Sequence, residues 1–244
     1  MALSSGQQFE KLILGTIENY YNAQSRTGDM MKKTFGPSSM YSDGRCARRW
    51  YLAFNGGEWL DDATPRSRRI MEHGTQRHEA LQKALGGIAH EIEREVTYES
   101  PPIRGYIDIV IEYEGQLIPG EIKTAMSMGY EKRAREHAVP AYQLGQLLLY
   151  MHILGSDRGF FLLENNDTKD IEIILIKMTP ERREWVDYAL DWYRQVYDAY
   201  EKDLLPSHHY RKNAKICKSC PVREACKSLP PQGDIDIPEL ELPE

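Results

Sequence analysis

Apolar positions along the chain fall into blocks of helical and of alternating spacing, and the blocks follow one another in a definite order. Residues 7 to 23 carry Phe9, Leu12, Ile13, Ile17, Tyr20 and Tyr21 at helical intervals, which predicts an amphipathic helix. After the breaker Gly36-Pro37, Ser38 or Ser39 is a candidate cap for a short helix carrying Cys46 and Arg48-Arg49-Trp50-Tyr51. Thr64-Pro65 is a good N-cap and first-turn pair for a second helix, which runs to Leu85 and stops at Gly86-Gly87. On it Ile70, Gly74, His78, Leu81 and Leu85 share a face. The period then shortens to two. Residues 91 to 98, Tyr106 to Tyr113 and Gln116 to Lys123 read as three sequential antiparallel strands, the last two joined by a Glu114-Gly115 turn. A mostly apolar helix over residues 140 to 154 ends at Gly155, strand-like runs follow at 159 to 164 and 171 to 178, and Thr179-Pro180 opens a long helix to about Leu205. Beyond Pro206 the helical pattern fades.

The 244 residues suit a compact α/β or α+β domain with appendages. No internal repeat is found, and no apolar run approaches the ~18 residues of a membrane span. The first residues lack the basic and apolar regions of a signal peptide, so a cytoplasmic location is expected. The absence of a Gly-x4-Gly-Lys-Ser/Thr loop argues against a built-in ATP motor. The net charge of -6 seems unfavourable for nucleic acid, yet five acids and no base lie within residues 234 to 244, and the remainder is near neutral. Basic clusters at Arg45, Arg48 and Arg49, at Arg66, Arg68 and Arg69, and at Lys132, Arg133 and Arg135 are candidate phosphate-binding patches or plain solvated helix faces.

The chemistry concentrates on the hairpin. Period two sets Glu121 and Lys123 on one face with Ile122 turned to the core, and Asp108 lies on the neighbouring strand. Uncompensated charge on an interior strand is expensive, so this set suggests mutual neutralisation around a divalent cation. With His78 the donors are mixed oxygen and nitrogen, which suits magnesium or manganese, the imidazole favouring manganese, and Lys123 beside it is suited to phosphodiester hydrolysis. Gln146 and Tyr150 form an i, i+4 pair on the apolar helix, where a buried amide needs a polar task. Cys217-x2-Cys220-x5-Cys226 together with Cys46 offers four thiols for zinc or an iron-sulfur cluster.

These residues resemble the RecB-like nuclease family of the PD-(D/E)XK superfamily, in particular the CRISPR-associated and phage-encoded iron-sulfur exonucleases and the AddB nuclease domain. Gly74-Thr75-Gln76-Arg77-His78-Glu79, Gly105-Tyr106-Ile107-Asp108, Gly120-Glu121-Ile122-Lys123-Thr124 and Gln146-Leu147-Leu148-Leu149-Tyr150 match its motifs in order, as does one early cysteine followed by a late Cys-x2-Cys-x5-Cys. The resemblance implies an αβββαβ restriction-endonuclease-like core with a mixed sheet. It implies manganese or magnesium held by His78, Asp108, Glu121 and the Ile122 carbonyl, with Asp108, Glu121, Lys123, Gln146 and Tyr150 in the catalytic machinery. It also implies a 4Fe-4S cluster on Cys46, Cys217, Cys220 and Cys226, with zinc as the rival, and cleavage of DNA from single-stranded ends. The expected layout is an N-terminal helical region (1–36), a nuclease core (37–205), an iron-sulfur segment (206–230) and a disordered acidic tail (231–244). The tail is the expected docking arm for an integrase, helicase or recombinase, and a homo-oligomer is a further expectation. The alternative function is a non-catalytic DNA-binding subunit of a CRISPR adaptation or recombination complex.

Overall fold

The computed structural model describes residues 5–25, 27–29, 31–211 and 214–244. Helix α1 (Ser5–Asn22) precedes a two-residue strand β1 (Gly28–Asp29), which pairs with β2 (Glu58–Trp59) across helix α2 (Ala47–Phe54). Helix α3 (Pro65–Leu85) leads into β3 (Ala89–Tyr98), β4 (Ile103–Tyr113) and β5 (Gln116–Ala125). Helices α4 (Ser127–Glu136) and α5 (Ala141–Leu154), strands β6 (Arg158–Asn165) and β7 (Ile171–Lys177), and helix α6 (Pro180–Glu201) follow. Short helices α7 (Lys215–Ser219) and α8 (Arg223–Lys227) carry the late cysteines. The main sheet has the order β3-β4-β5-β6-β7. Every pairing is antiparallel except β5 with β6, the join made by the α4–α5 crossover. The expected αβββαβ core is therefore present, within a mixed five-stranded sheet flanked by helices.

Both faces of the sheet are covered, which explains why the central strands lack a clean polar side. On one face Leu81 of α3 packs with Ile109, Ile122, Phe160 and Leu162. On the other, Phe161, Leu163, Ile174 and Ile176 meet α5, α2 and α6 in the largest core cluster. Thr64 caps α3 through a reciprocal pair with Ser67, as its sequence suggests. The expected helix from Ser38 is instead two 3-10 turns, Pro37–Met40 and Ser42–Arg45, followed by α2 with Cys46 as its N-cap. Helix α4 was not anticipated, because only Tyr130 of its residues is buried and its apolar pattern is weak. The stripe on α1 is not core: Phe9, Leu12, Ile13, Ile17 and Tyr20 are exposed.

Two further expectations are corrected. Arg48 and Arg49 are not a phosphate patch. The Arg48 guanidinium is buried and donates to the carbonyls of Pro206, Pro230 and Pro231 at 2.6, 2.7 and 3.1 Å, and Arg49 bonds Asp43 and lies over the Trp50 ring. Arg68 likewise bonds Asp61 and the Gln24 carbonyl. Nor is the 231–244 tail disordered. Ile235 bridges to Pro206, Ile237 and Leu240 are at most 1% exposed, and the carbonyls of Pro238 and Glu241 accept from the Trp192 and Trp185 indoles. The apolar side chains that a docking arm would offer are consumed by the core. The charge of the tail hid the alternation Ile235, Ile237, Leu240, Leu242, which is its real signal.

Truncating Leu240 to Ala should therefore cost about 2–5 kcal/mol of unfolding free energy in chemical denaturation, as for other buried leucines. Glu241→Ala, at an exposed side chain, should stay within about 0.5 kcal/mol. Equal, negligible effects would return the tail to disorder.

Candidate active site

The hairpin forks at the point where chemistry is expected. Strands β4 and β5 pair from Tyr113↔Gln116 up to Ile109↔Gly120, and β5 is paired in parallel with β6 from Gly120 onward. Past the fork, the backbone N–H of Ile122 donates to the Asp108 carboxylate at 2.7 Å rather than to a strand carbonyl. Asp108 is thus fixed beside Glu121 by the strand that carries Glu121. Two glycines permit the close packing around this fork. A Cβ on Gly120 would lie 2.2 Å from the Phe160 ring, and one on Gly105 would lie 2.7 Å from the Tyr150 hydroxyl.

Glu121 is wholly buried. Its Oε2 accepts from the Lys123 ammonium at 2.5 Å and from the Gln146 amide at 3.0 Å, while its Oε1 has no hydrogen-bond partner. Burial pushes its pKa up to about 8, although Lys123 opposes the shift. For Lys123 burial favours loss of the proton, but the carboxylates of Glu121 and Asp108 outweigh it and hold the pKa above the usual lysine value. His78 on α3 reaches the site from the other side, its Nδ1 3.7 Å from Asp108. Burial holds the His78 pKa below its ordinary value despite Asp108, which favours the neutral ring with one nitrogen lone pair free to ligate. Gly74, one turn before His78, is not needed for a close approach to the sheet, since a Cβ there would meet nothing within 4 Å.

His78, Asp108, Glu121, Lys123, Gln146 and Tyr150 are therefore brought together. Tyr150 is 1% exposed, and burial holds its pKa above the usual tyrosine value, so it acts as a neutral hydroxyl. Ile122 contributes backbone while its side chain fills the α3-side core. A cavity of about 460 Å³ opens onto Asp108, Glu121 and Lys123. Its walls include residues that sequence reasoning missed: Ser38, Glu93, Arg104 and Tyr106. Glu93 has a left-handed φ of 50° and stands opposite Asp108, between the Ile92↔Ile109 and Arg94↔Ile107 pairs. The buried Gln82 amide donates to Glu93 at 2.6 Å and to the Asp108 carbonyl at 2.8 Å. In sequence Glu93 is one of several alternating charges, indistinguishable from a solvated strand face.

The four cysteines are free thiols that line a second cavity of about 250 Å³ between the N-cap of α2 and the α7–α8 segment. His208 Nε2 lies 3.5 Å from Cys217 Sγ. Burial pushes the Cys46 and Cys220 thiols up to about 12. No set of three His, Cys, Asp or Glu side chains is drawn together tightly enough to form a ready-made metal centre among the described residues.

The profile of the PD-(D/E)XK nuclease superfamily matches residues 88–227, more than half of the chain. A CRISPR-associated exonuclease Cas4 of Thermoproteus tenax is 26% identical over 188 residues, spanning 74% of this chain and 86% of that one. Among solved structures, an alkaline exonuclease from Laribacter hongkongensis superposes with a TM-score of 0.53 at 11% identity, over 69% of this chain and 90% of the other. Its complex with dAMP gives a TM-score of 0.50 over the same shares of the two chains. At that identity the structural likeness speaks for the fold alone, and the nuclease assignment rests on the profile. By its sequence profile and its fold, this chain belongs to the PD-(D/E)XK nuclease superfamily.

Proposed function

We propose that the protein is a divalent-metal-dependent deoxyribonuclease that degrades single-stranded DNA from its ends. The observation that carries this reading is Glu121 Oε1, buried without a partner beside Asp108 and the charged Lys123. An orphaned carboxylate oxygen in that position fits a cation, because burying it uncompensated costs several kcal/mol. Asp108, Glu121, His78 and the Ile122 carbonyl would hold magnesium or manganese. A bound divalent cation supplies charge stabilisation at the phosphate and a more acidic water. The chain does the rest. Lys123, held by Glu121, is placed to orient the attacking water and to stabilise charge developing on the phosphate. Gln146 fixes the Glu121 rotamer, and Tyr150, packed on Gly105, fixes β4 and with it Asp108. The Cas4 relative is named an exonuclease, which agrees with this reading.

We infer that the cysteines hold a 4Fe-4S cluster. Support comes from their convergence on one cavity walled by Ile216, Val222 and Leu229, and from Arg48, which lies against Cys226 and ties the flanking Pro206, Pro230 and Pro231 carbonyls. A cluster there pins the C-terminal segment to α2, so its binding energy is coupled to folding.

End-labelled single-stranded DNA with manganese should be degraded by the wild type, and activity should fall by at least about a hundredfold, of the order seen for lost electrostatic stabilisation, in Asp108→Ala and Lys123→Ala. Full activity in both variants excludes the assignment. A circular single strand should survive if ends are required. Because the Glu121 proton must leave before a cation binds, manganese affinity measured by calorimetry should rise between about pH 6 and about pH 9, with proton release on binding. A pH-independent affinity contradicts that placement. Protein purified without oxygen should be brown with broad visible absorbance, and Cys217→Ala should lower the melting temperature while the fraction that remains folded still cuts. A colourless, zinc-loaded preparation assigns the thiols to zinc instead.

A further inference from the structure

The cavity in front of Asp108 is walled by aromatic rings that the metal and lysine chemistry does not use. Arg104, Tyr106 and Asp108 alternate along β4, so their side chains follow one face of the strand toward the reacting centre. Tyr106 is 45% exposed and firmly held: its hydroxyl donates to Glu95 at 3.1 Å and accepts from Arg104 at 2.8 Å. The Arg104 guanidinium lies 5.7 Å from the ring centroid and is itself paired with both Glu95 oxygens. On the α5 side, Tyr142 stands one turn before Gln146, and Tyr41, 62% exposed, meets its ring edge-on at 4.9 Å.

The cations of this cavity are already engaged, Lys123 with Glu121 and Arg104 with Glu95. What it offers a nucleic acid beyond the cation site is ring surface. We propose that Tyr106 and the Tyr41–Tyr142 pair are stacking platforms for the unpaired bases of the strand being cut. This deepens the nuclease reading and rests on it for the identity of the reacting strand. A base inside a duplex has both faces covered by its neighbours and cannot stack on a side chain, whereas a base of a single strand can. The rings therefore select unpaired DNA at the site, independently of sequence, because every base has a π-face.

The test measures binding rather than cutting. Affinity for a short labelled oligothymidylate, for the same strand with abasic sites in its terminal nucleotides, and for a blunt duplex is read by fluorescence anisotropy in chelator, so that no strand is degraded. Wild type should lose roughly tenfold or more on the abasic strand, in line with the loss of a base–aromatic stack. Tyr106→Ala and Tyr142→Ala should each bind the normal strand about tenfold more weakly and lose part of the abasic penalty, and the double Tyr106→Ala/Tyr142→Ala variant should be indifferent to abasic sites, with duplex binding unchanged. Tyr106→Phe and Tyr142→Phe keep the ring and should bind within about twofold of wild type. Tyr41→Ala, at an exposed side chain, carries the test if a buried-side variant melts early. The proposal is overturned if wild type binds both strands equally, if the Ala variants bind as wild type, if the double Ala variant remains sensitive to abasic sites, or if the Phe variants fail. Asp108→Ala and Lys123→Ala variants that both still cut would remove the proposed reacting centre and leave this binding result standing.

Discussion

A carboxylate buried completely in a protein interior is the constraint around which this molecule is arranged. Glu121 sits on the central strand of the sheet and is 0% exposed, so its ionised form has to be met by the protein or by an ion. The chain supplies part of the answer with Lys123 and Gln146 on one oxygen, and leaves the other without a partner. Asp108 and His78 are brought to that same point from the neighbouring strand and from α3. Each extra acid raises the electrostatic cost of keeping Glu121 ionised at this point.

The surrounding architecture serves this centre through backbone as much as through side chains. The fork between β4 and β5 frees one N–H of β5, and Asp108 takes it, so the distance between the two acids is set by strand pairing. Gly105 and Gly120 are required by the rings of Tyr150 and Phe160 that press on them, which gives a packing reason for the glycines at the head of the Asp108 and Glu121 motifs. Arg48 plays the corresponding part for the cysteine segment, tying the Pro206 carbonyl to those of Pro230 and Pro231 on either side of that segment.

Much of this was legible before any coordinates. The three-strand meander, the α3 cap, the two flanking helices and the order of the motifs follow from period and punctuation, because those signals are local. Most of the unread site and tail features share one cause, that the partner lies outside the local pattern that sequence spacing reports. Arg48 and Arg49 look like a basic patch until Pro206, Pro230 and Asp43 are seen around them. Glu93 looks like a solvated strand residue until the register sets it opposite Asp108. The acidic tail looks disordered because charge dominates its composition, yet Ile237 and Leu240 find a core formed by α6 and α2.

The sequence by itself determined which residue types are available and on which element each one stands. It placed Glu121 and Lys123 on one strand face, Asp108 on the next strand, and the four thiols in two distant groups, since side-chain period and turn chemistry are encoded within a few residues. Only the tertiary structure decided that these groups meet. It also decided that one oxygen of Glu121 is left unmatched, that the tail is core, and that Tyr106 and Tyr142 line the site's cavity, with Tyr41 edge-on against Tyr142. Convergence depends on long-range packing and on the fork in the sheet, and neither leaves a local mark in the chain.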